Sequence, residues 1–216
     1  MAAIAWAEPI TISLCYHPGD AMEEIREAKR ELRAKVSSAI ESLETDKRSA
    51  KLDQIDERLF EFANFLEARI VLFYINAECE VPSGLFIRKA VAMGKIVVLP
   101  AFRAEKADIR LMKIDDPDKD LIMGPRNSLE PDPQRCRQVP LDCIDIAIVP
   151  GIALDEKGGR LGRGDGYYDR LIPRLPSTTR KVALALEEQI FPQIPMENHD
   201  KFVDIIISDK RTIYKI

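Results

Sequence analysis

A chain of 216 residues with 46% hydrophobic and 31% charged side chains has the length of one α/β domain, or of two small ones, and enough apolar material for a sizeable core. Its 32 Lys and Arg against 36 Asp and Glu leave a formal charge of −4, so no global basic field is present to hold a nucleic-acid backbone or an anionic membrane. No apolar run approaches the ~18 residues of a membrane span, since the longest clean stretch, 70–75, is soon followed by Glu78.

Residues 1–21 are expected to form a flexible extension ahead of a single domain at 22–216, because they carry no sustained period. Ala5-Trp6-Ala7 imitates a cleavage site, but no basic residue precedes it, so the chain is read as cytoplasmic. Asp20 followed by Glu23 makes a capping-box-like start to a helix whose apolar stripe is Met22, Ile25, Leu32, Val36, Ile40 and Leu43. A second amphipathic helix spans 47–66, with Leu52, Ile55, Leu59, Phe62 and Leu66 on its apolar side.

From Arg69 the period changes. The β-branched and aromatic run 70–75 reads as a strand, 83–93 as a helix closed by Gly94, and 96–99 as a second strand, which together make a βαβ unit. Residues 107–114 are expected to form an edge strand, and five prolines between positions 117 and 140 argue for an irregular loop. Beyond it lie a buried strand at 144–149, a short helix at 166–175, and strands at 182–186 and 204–207. The alternation predicts an α/β fold: a mainly parallel, twisted, Rossmann-like sheet with helices on both faces and an N-terminal helical pair, its ligands gathering at the carboxyl ends of the strands.

Cys15, Cys79, Cys136 and Cys143 contain no Cys-x-x-Cys pair, and His17 and His199 make no metal-ligand spacing with them, so reduced thiols are expected. The richest local signal is Val149-Pro150-Gly151 followed by Arg160-Leu161-Gly162-Arg163-Gly164-Asp165-Gly166-Tyr167-Tyr168-Asp169-Arg170. Glycines alternating before a helix let backbone N–H groups converge on an anion, which makes a phosphate cradle. The loop matches neither a Walker A motif nor a dinucleotide fingerprint, and on spacing alone a glycine-rich hairpin turn is the alternative.

This loop strongly resembles the signature of the 5-formyltetrahydrofolate cyclo-ligase family, and the likeness runs over roughly residues 22–209. Lys29-Arg30-Glu31-Leu32-Arg33 is similar to the family's basic helix motif, Glu80-Val81-Pro82-Ser83 to its acidic folate motif, and Pro195-Met196-Glu197-Asn198-His199-Asp200 to its late acidic motif. The resemblance implies a monomeric enzyme, with ATP and a reduced folate as its small-molecule partners, that closes 5-formyltetrahydrofolate to 5,10-methenyltetrahydrofolate with release of ADP and phosphate. It also implies Mg²⁺ as cofactor. By the same resemblance Lys29, Arg33 and Arg163 are the catalytic residues, and ATP is bound by Lys29, Arg33 and the loop Arg160, Leu161, Gly162, Arg163, Gly164, Asp165, Gly166, Tyr167 and Tyr168. Substrate binding falls to Tyr74, Glu80, Arg163, Gly164, Asp165, Gly166 and Tyr167, and the metal to Asp169 and Asp200. A divergent member acting on another substrate, or a catalytically silent nucleotide- or folate-binding protein, are the alternatives.

Read without the family, Lys29 and Arg33 form an i,i+4 pair of like charge that is unfavourable unless something anionic lies between them, and a solvated face neutralised by Glu27 and Glu31 is the alternative. Asp165 departs from the family pattern, where glycine or a basic residue is more usual. Its side chain is expected to point away from the phosphates, because an inward carboxylate would repel ATP.

Overall fold

The computed structural model describes residues 18–103, 108–124 and 128–215; the expectation for residues 1–17, including Cys15, lies outside them. Helix α1 is described over Pro18–Glu41, so Asp20, the residue expected to start it, lies within it. The helix expected over 47–66 is two helices, α2 (Thr45–Glu61) and α3 (Ala63–Glu67), separated by extended backbone at Phe62 (φ −68°, ψ 120°). Residues two apart on a helix point to opposite sides, so a straight helix would expose either Phe60 or Phe62. The break buries both, and Phe65 packs edge-on against Phe60 with ring centroids 5.0 Å apart.

The βαβ unit is present as β1 (Ile70–Leu72), α4 (Gly84–Ala92) and β2 (Ile96–Arg103), with Gly94 at φ +76° ending the helix and Ile70 paired in parallel with Ile96. Strand β3 (Asp108–Ile114) runs antiparallel to β2, and Ala107, the first residue expected in it, lies outside the described residues. The stretch expected as irregular loop contains three short strands, β4 (Leu121–Met123), β5 (Leu129–Pro131) and β6 (Arg137–Gln138), which is a correction. Pro131 is accommodated because β4 and β5 form a separate two-stranded ribbon, where a missing donor can face outward. Buried Asp120 organises the ribbon's base by accepting the N–H groups of Asp115 at 2.9 Å and Asp116 at 2.8 Å.

The remaining elements are β7 (Ile146–Val149), β8 (Ala153–Asp155), β9 (Arg160–Leu161), α5 (Tyr167–Leu171), β10 (Arg180–Ala185), β11 (Ile190–Phe191), β12 (Ile205–Ser208) and β13 (Thr212–Tyr214). Helix α5 is shorter than the expected 166–175 because Pro173 removes an N–H, and residues 172–174 tighten into a 3-10 turn. The main sheet has the order β13-β12-β10-β7-β1-β2-β3-β6, five central parallel strands with antiparallel edges. Alternate residues serve two cores. Phe73, Leu99, Ile148 and Leu184 meet Val36, Ile55, Leu59 and Ile87 of the helices, while Leu72, Val98, Val149 and Ala183 meet Leu171, Ile172 and Leu175 on the opposite face. Among the described residues no helix is long and apolar enough to cross a membrane.

Candidate active site

The carboxyl ends of β1, β7 and β10 are neighbours in the sheet, and each feeds a loop that carries candidate residues. After β7 the chain forms the β8–β9 hairpin. Asp155 closes its turn by accepting the N–H groups of Lys157 at 3.0 Å and Gly159 at 2.8 Å, while its other oxygen takes the Ile194 N–H at 2.8 Å. A Cβ on Gly159 would lie 2.5 Å from Asp155 Oδ2, so glycine is required there.

The hairpin delivers Arg160, which is only 4% exposed. Its guanidinium donates to the Pro150 carbonyl at 3.1 Å and to Asp169 Oδ1 at 2.7 Å, and that same oxygen accepts the Lys201 N–H at 3.1 Å. One buried cation thus ties β9 to α5 and to the segment before β12. The following loop bends through Gly164 (φ +109°) and Gly166 (φ +65°), conformations that side chains rarely adopt, and Gly166 leads directly into α5. Arg163, Gly164 and Asp165 are exposed; the Arg170 guanidinium donates to the Asp165 carbonyl at 3.3 Å and stacks on Tyr167 at 5.0 Å.

Helix α1 docks onto this loop through Arg33, whose Nε donates to the Gly162 carbonyl at 2.9 Å. Burial pulls the Arg33 guanidinium below its ordinary pKa, with Asp200 opposing the shift. One turn earlier, Lys29 is 7% exposed and donates to Glu197 Oε2 at 2.7 Å and Asp200 Oδ2 at 2.5 Å. The solvated-face alternative therefore does not describe Lys29, and Glu27 pairs with Arg30 instead. Burial acts to raise the Asp200 carboxyl, but the Glu197 N–H and the Lys29 ammonium outweigh it, and the group lies below its ordinary 3.8. Glu197, His199 and Asp200 form a possible ligand set, their ligand atoms all within 4.8 Å of one another. Asp169 stands apart from this set, linked to it through the Lys201 N–H. Glu197 was not among the expected site residues, although its Glu-x-x-Asp spacing with Asp200 is the signal in the sequence that marks it.

On the β1 side, Tyr74 is buried and its hydroxyl donates to the Val81 carbonyl at 2.7 Å. Burial holds the Tyr74 hydroxyl well above its ordinary pKa, reinforced by Glu80 and Tyr168. Glu80, 5% exposed, accepts the Ala77 N–H at 2.8 Å. Burial raises the pKa of the Glu80 carboxyl, opposed by that N–H and by the charges of Arg163 and Arg160 in the glycine loop.

The model of the 5-formyltetrahydrofolate cyclo-ligase family matches residues 25–209, a span that takes in every side chain of this site. The chain belongs to that family. A mouse 5-formyltetrahydrofolate cyclo-ligase is 26% identical over 192 residues, covering 85% of this chain and 94% of the mouse protein. A probable cyclo-ligase of Caenorhabditis elegans is 28% identical over 203 residues, covering 89% and 98%. Among solved structures, the 5,10-methenyltetrahydrofolate synthetase of Aquifex aeolicus superposes with a TM-score of 0.75 at 29% identity, covering 87% of this chain and 92% of its own. That of Mycoplasma pneumoniae, at 20% identity and a TM-score of 0.65 over 84% and 98% of the two chains, shares the fold. Cyclo-ligases of this family are ATP-dependent ligases.

Proposed function

We propose that this chain catalyses the ATP-dependent closure of 5-formyltetrahydrofolate to 5,10-methenyltetrahydrofolate, releasing ADP and phosphate. The observation that carries the reading is the meeting of α1 with the glycine loop. Arg33 bonds Gly162, and Lys29 lies one turn away beside Glu197 and Asp200, inside the span the family model covers.

The formyl oxygen is a poor leaving group, so the γ-phosphoryl group of ATP is transferred to it and ADP departs. The N10 lone pair then attacks the activated formyl carbon, N10 gives up its proton to solvent, and the carbon–oxygen bond breaks to release phosphate carrying the former formyl oxygen. No side-chain nucleophile is needed. Lys29, Arg33, Arg163 and the N–H groups of residues 162–166 hold the phosphates and balance the charge that develops on them. Arg160 shapes the loop from beneath, while Tyr167 and Tyr168 line it. Glu80 hydrogen-bonds the pterin, and Tyr74 fixes the Val81 carbonyl behind it.

Mg²⁺ supplies further charge neutralisation at the phosphates when it is bound. Glu197 and Asp200 fit it as hard oxygen donors, since the Lys29 ammonium already occupies a cation's place between them; Asp169 is suited to an outer role. The reading takes the enzyme as a cytoplasmic monomer. Its test is the appearance of methenyltetrahydrofolate absorbance on mixing protein, MgATP and 5-formyltetrahydrofolate, with ADP formed in equal amount. Nucleotide binding without product would favour the silent-binder alternative.

A further inference from the structure

Gln189 lies in the 3-10 turn at 187–189 that follows β10, and it is 0% exposed. Its side-chain oxygen accepts the Leu186 N–H at 2.9 Å, while its Nε2 donates to the Cys79 carbonyl at 2.9 Å and the Ile152 carbonyl at 2.8 Å. Cys79 belongs to the loop after β1, and Ile152 to the turn after β7. One buried amide therefore joins the segments that leave three adjacent parallel strands.

Both carbonyls adjoin the site. Glu80 is the residue after Cys79, and the Ile152 N–H bonds the Leu161 carbonyl at 2.8 Å, next to Arg160. Cys79 has φ +65°, and among the described residues it is the one non-glycine in the left-handed region. A residue with a Cβ leaves that region when nothing holds it. Rotating there would swing the Cys79 carbonyl and, with it, the Glu80 that follows. The bond from Gln189 is the side-chain hydrogen bond made to this carbonyl.

We propose that Gln189 is a positioning residue for the folate: by holding the Cys79 carbonyl it keeps the left-handed turn that presents Glu80 to the loop carrying Arg160 and Arg163. The inference rests on the cyclo-ligase reading. It separates two effects of losing the amide, because instability of the core would lower the melting temperature without selecting one substrate, whereas a misplaced Glu80 would weaken folate in particular.

The experiment is steady-state kinetics with MgATP and 5-formyltetrahydrofolate, run well below the melting temperature on parent, Gln189→Met and the double variant Gln189→Met with Cys79→Gly. Methionine keeps the volume and removes both donated bonds together with the acceptor of the Leu186 N–H. The KM for folate is expected to rise about tenfold in Gln189→Met, the size of one lost hydrogen bond, and the KM for ATP by less than about threefold. Glycine adopts the left-handed conformation without penalty, so Cys79→Gly should recover most of the folate defect. A folate KM within about twofold of the parent, or no recovery in the double variant, would overturn the proposal. Should Gln189→Met not fold, Gln189→Asn carries the same expectations, since its amide is withdrawn by one methylene and no longer spans the two carbonyls. A parent that forms no product overturns the activity itself; equilibrium dialysis of 5-formyltetrahydrofolate against parent and variants then decides the positioning role by the same fold-changes.

Discussion

Replacing Asp169 by leucine separates a structural duty from a metal-binding one. In the structure the Asp169 carboxylate is the anionic partner of Arg160, whose side chain is 3% exposed against 17% for Asp169, and among the described residues the Arg160 Nε makes no hydrogen bond. Removing the carboxylate leaves a buried guanidinium without its hydrogen-bonded counter-charge, a change that costs about 3–5 kcal/mol for fully buried pairs, and the lower end applies to a partly hydrated one. At roughly 2–4 °C per kcal/mol for a chain of this size, about 3 kcal/mol corresponds to a melting-temperature drop of roughly 6–12 °C. The assay is thermal unfolding without nucleotide or Mg²⁺, with urea titration as a second probe. Asp169→Asn retains an acceptor at the same place and should lose less than half as much. In Arg160→Met the cation is absent, so adding Asp169→Leu should cost little more, giving a coupling of about 2 kcal/mol in the double-mutant cycle. A carboxylate present only to bind metal would leave the metal-free melting temperature unchanged. Asp169→Leu within about 1 kcal/mol of the parent would refute the reasoning.

Lys29→Ala and Arg33→Ala should each weaken ATP binding by about 10- to 150-fold, the loss of one charge-assisted contact of about 1.5–3 kcal/mol, as measured by calorimetric titration. Glu80→Gln should raise the urea midpoint at neutral pH while weakening folate binding: the folded carboxyl titrates above 4.5, so its stability contribution is full below 4.5 and lost as pH rises through the folded value, a loss glutamine escapes. For Asp200 the sign is opposite: its lowered folded value makes the contribution full above 3.8 and lost as pH falls through that lower value. Asp200→Asn should therefore flatten the acid limb of the stability curve below 3.8 and raise the Mg²⁺ concentration needed for turnover, whereas unchanged slopes and metal titrations would remove it from both roles. Asp165→Gly should change ATP affinity by less than about tenfold, because the residue is exposed.

The strands from β1 to β12 that build the parallel centre were legible because each is a short apolar run bounded by turn residues, and the glycine loop because its residue types are rare in combination. The break at Phe62 was not, since the apolar period continues through it and the preference for burying both Phe60 and Phe62 is a tertiary fact. The strands between 115 and 143 were hidden by prolines, which mark poor central strands but permit a detached ribbon. Within the site, the Lys29–Arg33 spacing left open whether a bound anion or a solvated face with Glu27 and Glu31 offsets the like charges. Glu197 and Asp200, 168 and 171 residues away, meet Lys29 only after the sheet has closed. Arg160 with Asp169 illustrates the same boundary: both belong to one legible motif, yet the burial that makes them a structural pair appears only in the fold.

The central claim, that this site couples ATP cleavage to ring closure through the formyl oxygen, is tested most directly with 5-formyltetrahydrofolate carrying ¹⁸O in its formyl group. Methenyltetrahydrofolate is followed by absorbance and the released phosphate by mass spectrometry. The account predicts one labelled phosphate for each methenyl product, and neither in the absence of ATP. Unlabelled phosphate beside labelled water, or ATP hydrolysis without ring closure, would contradict it.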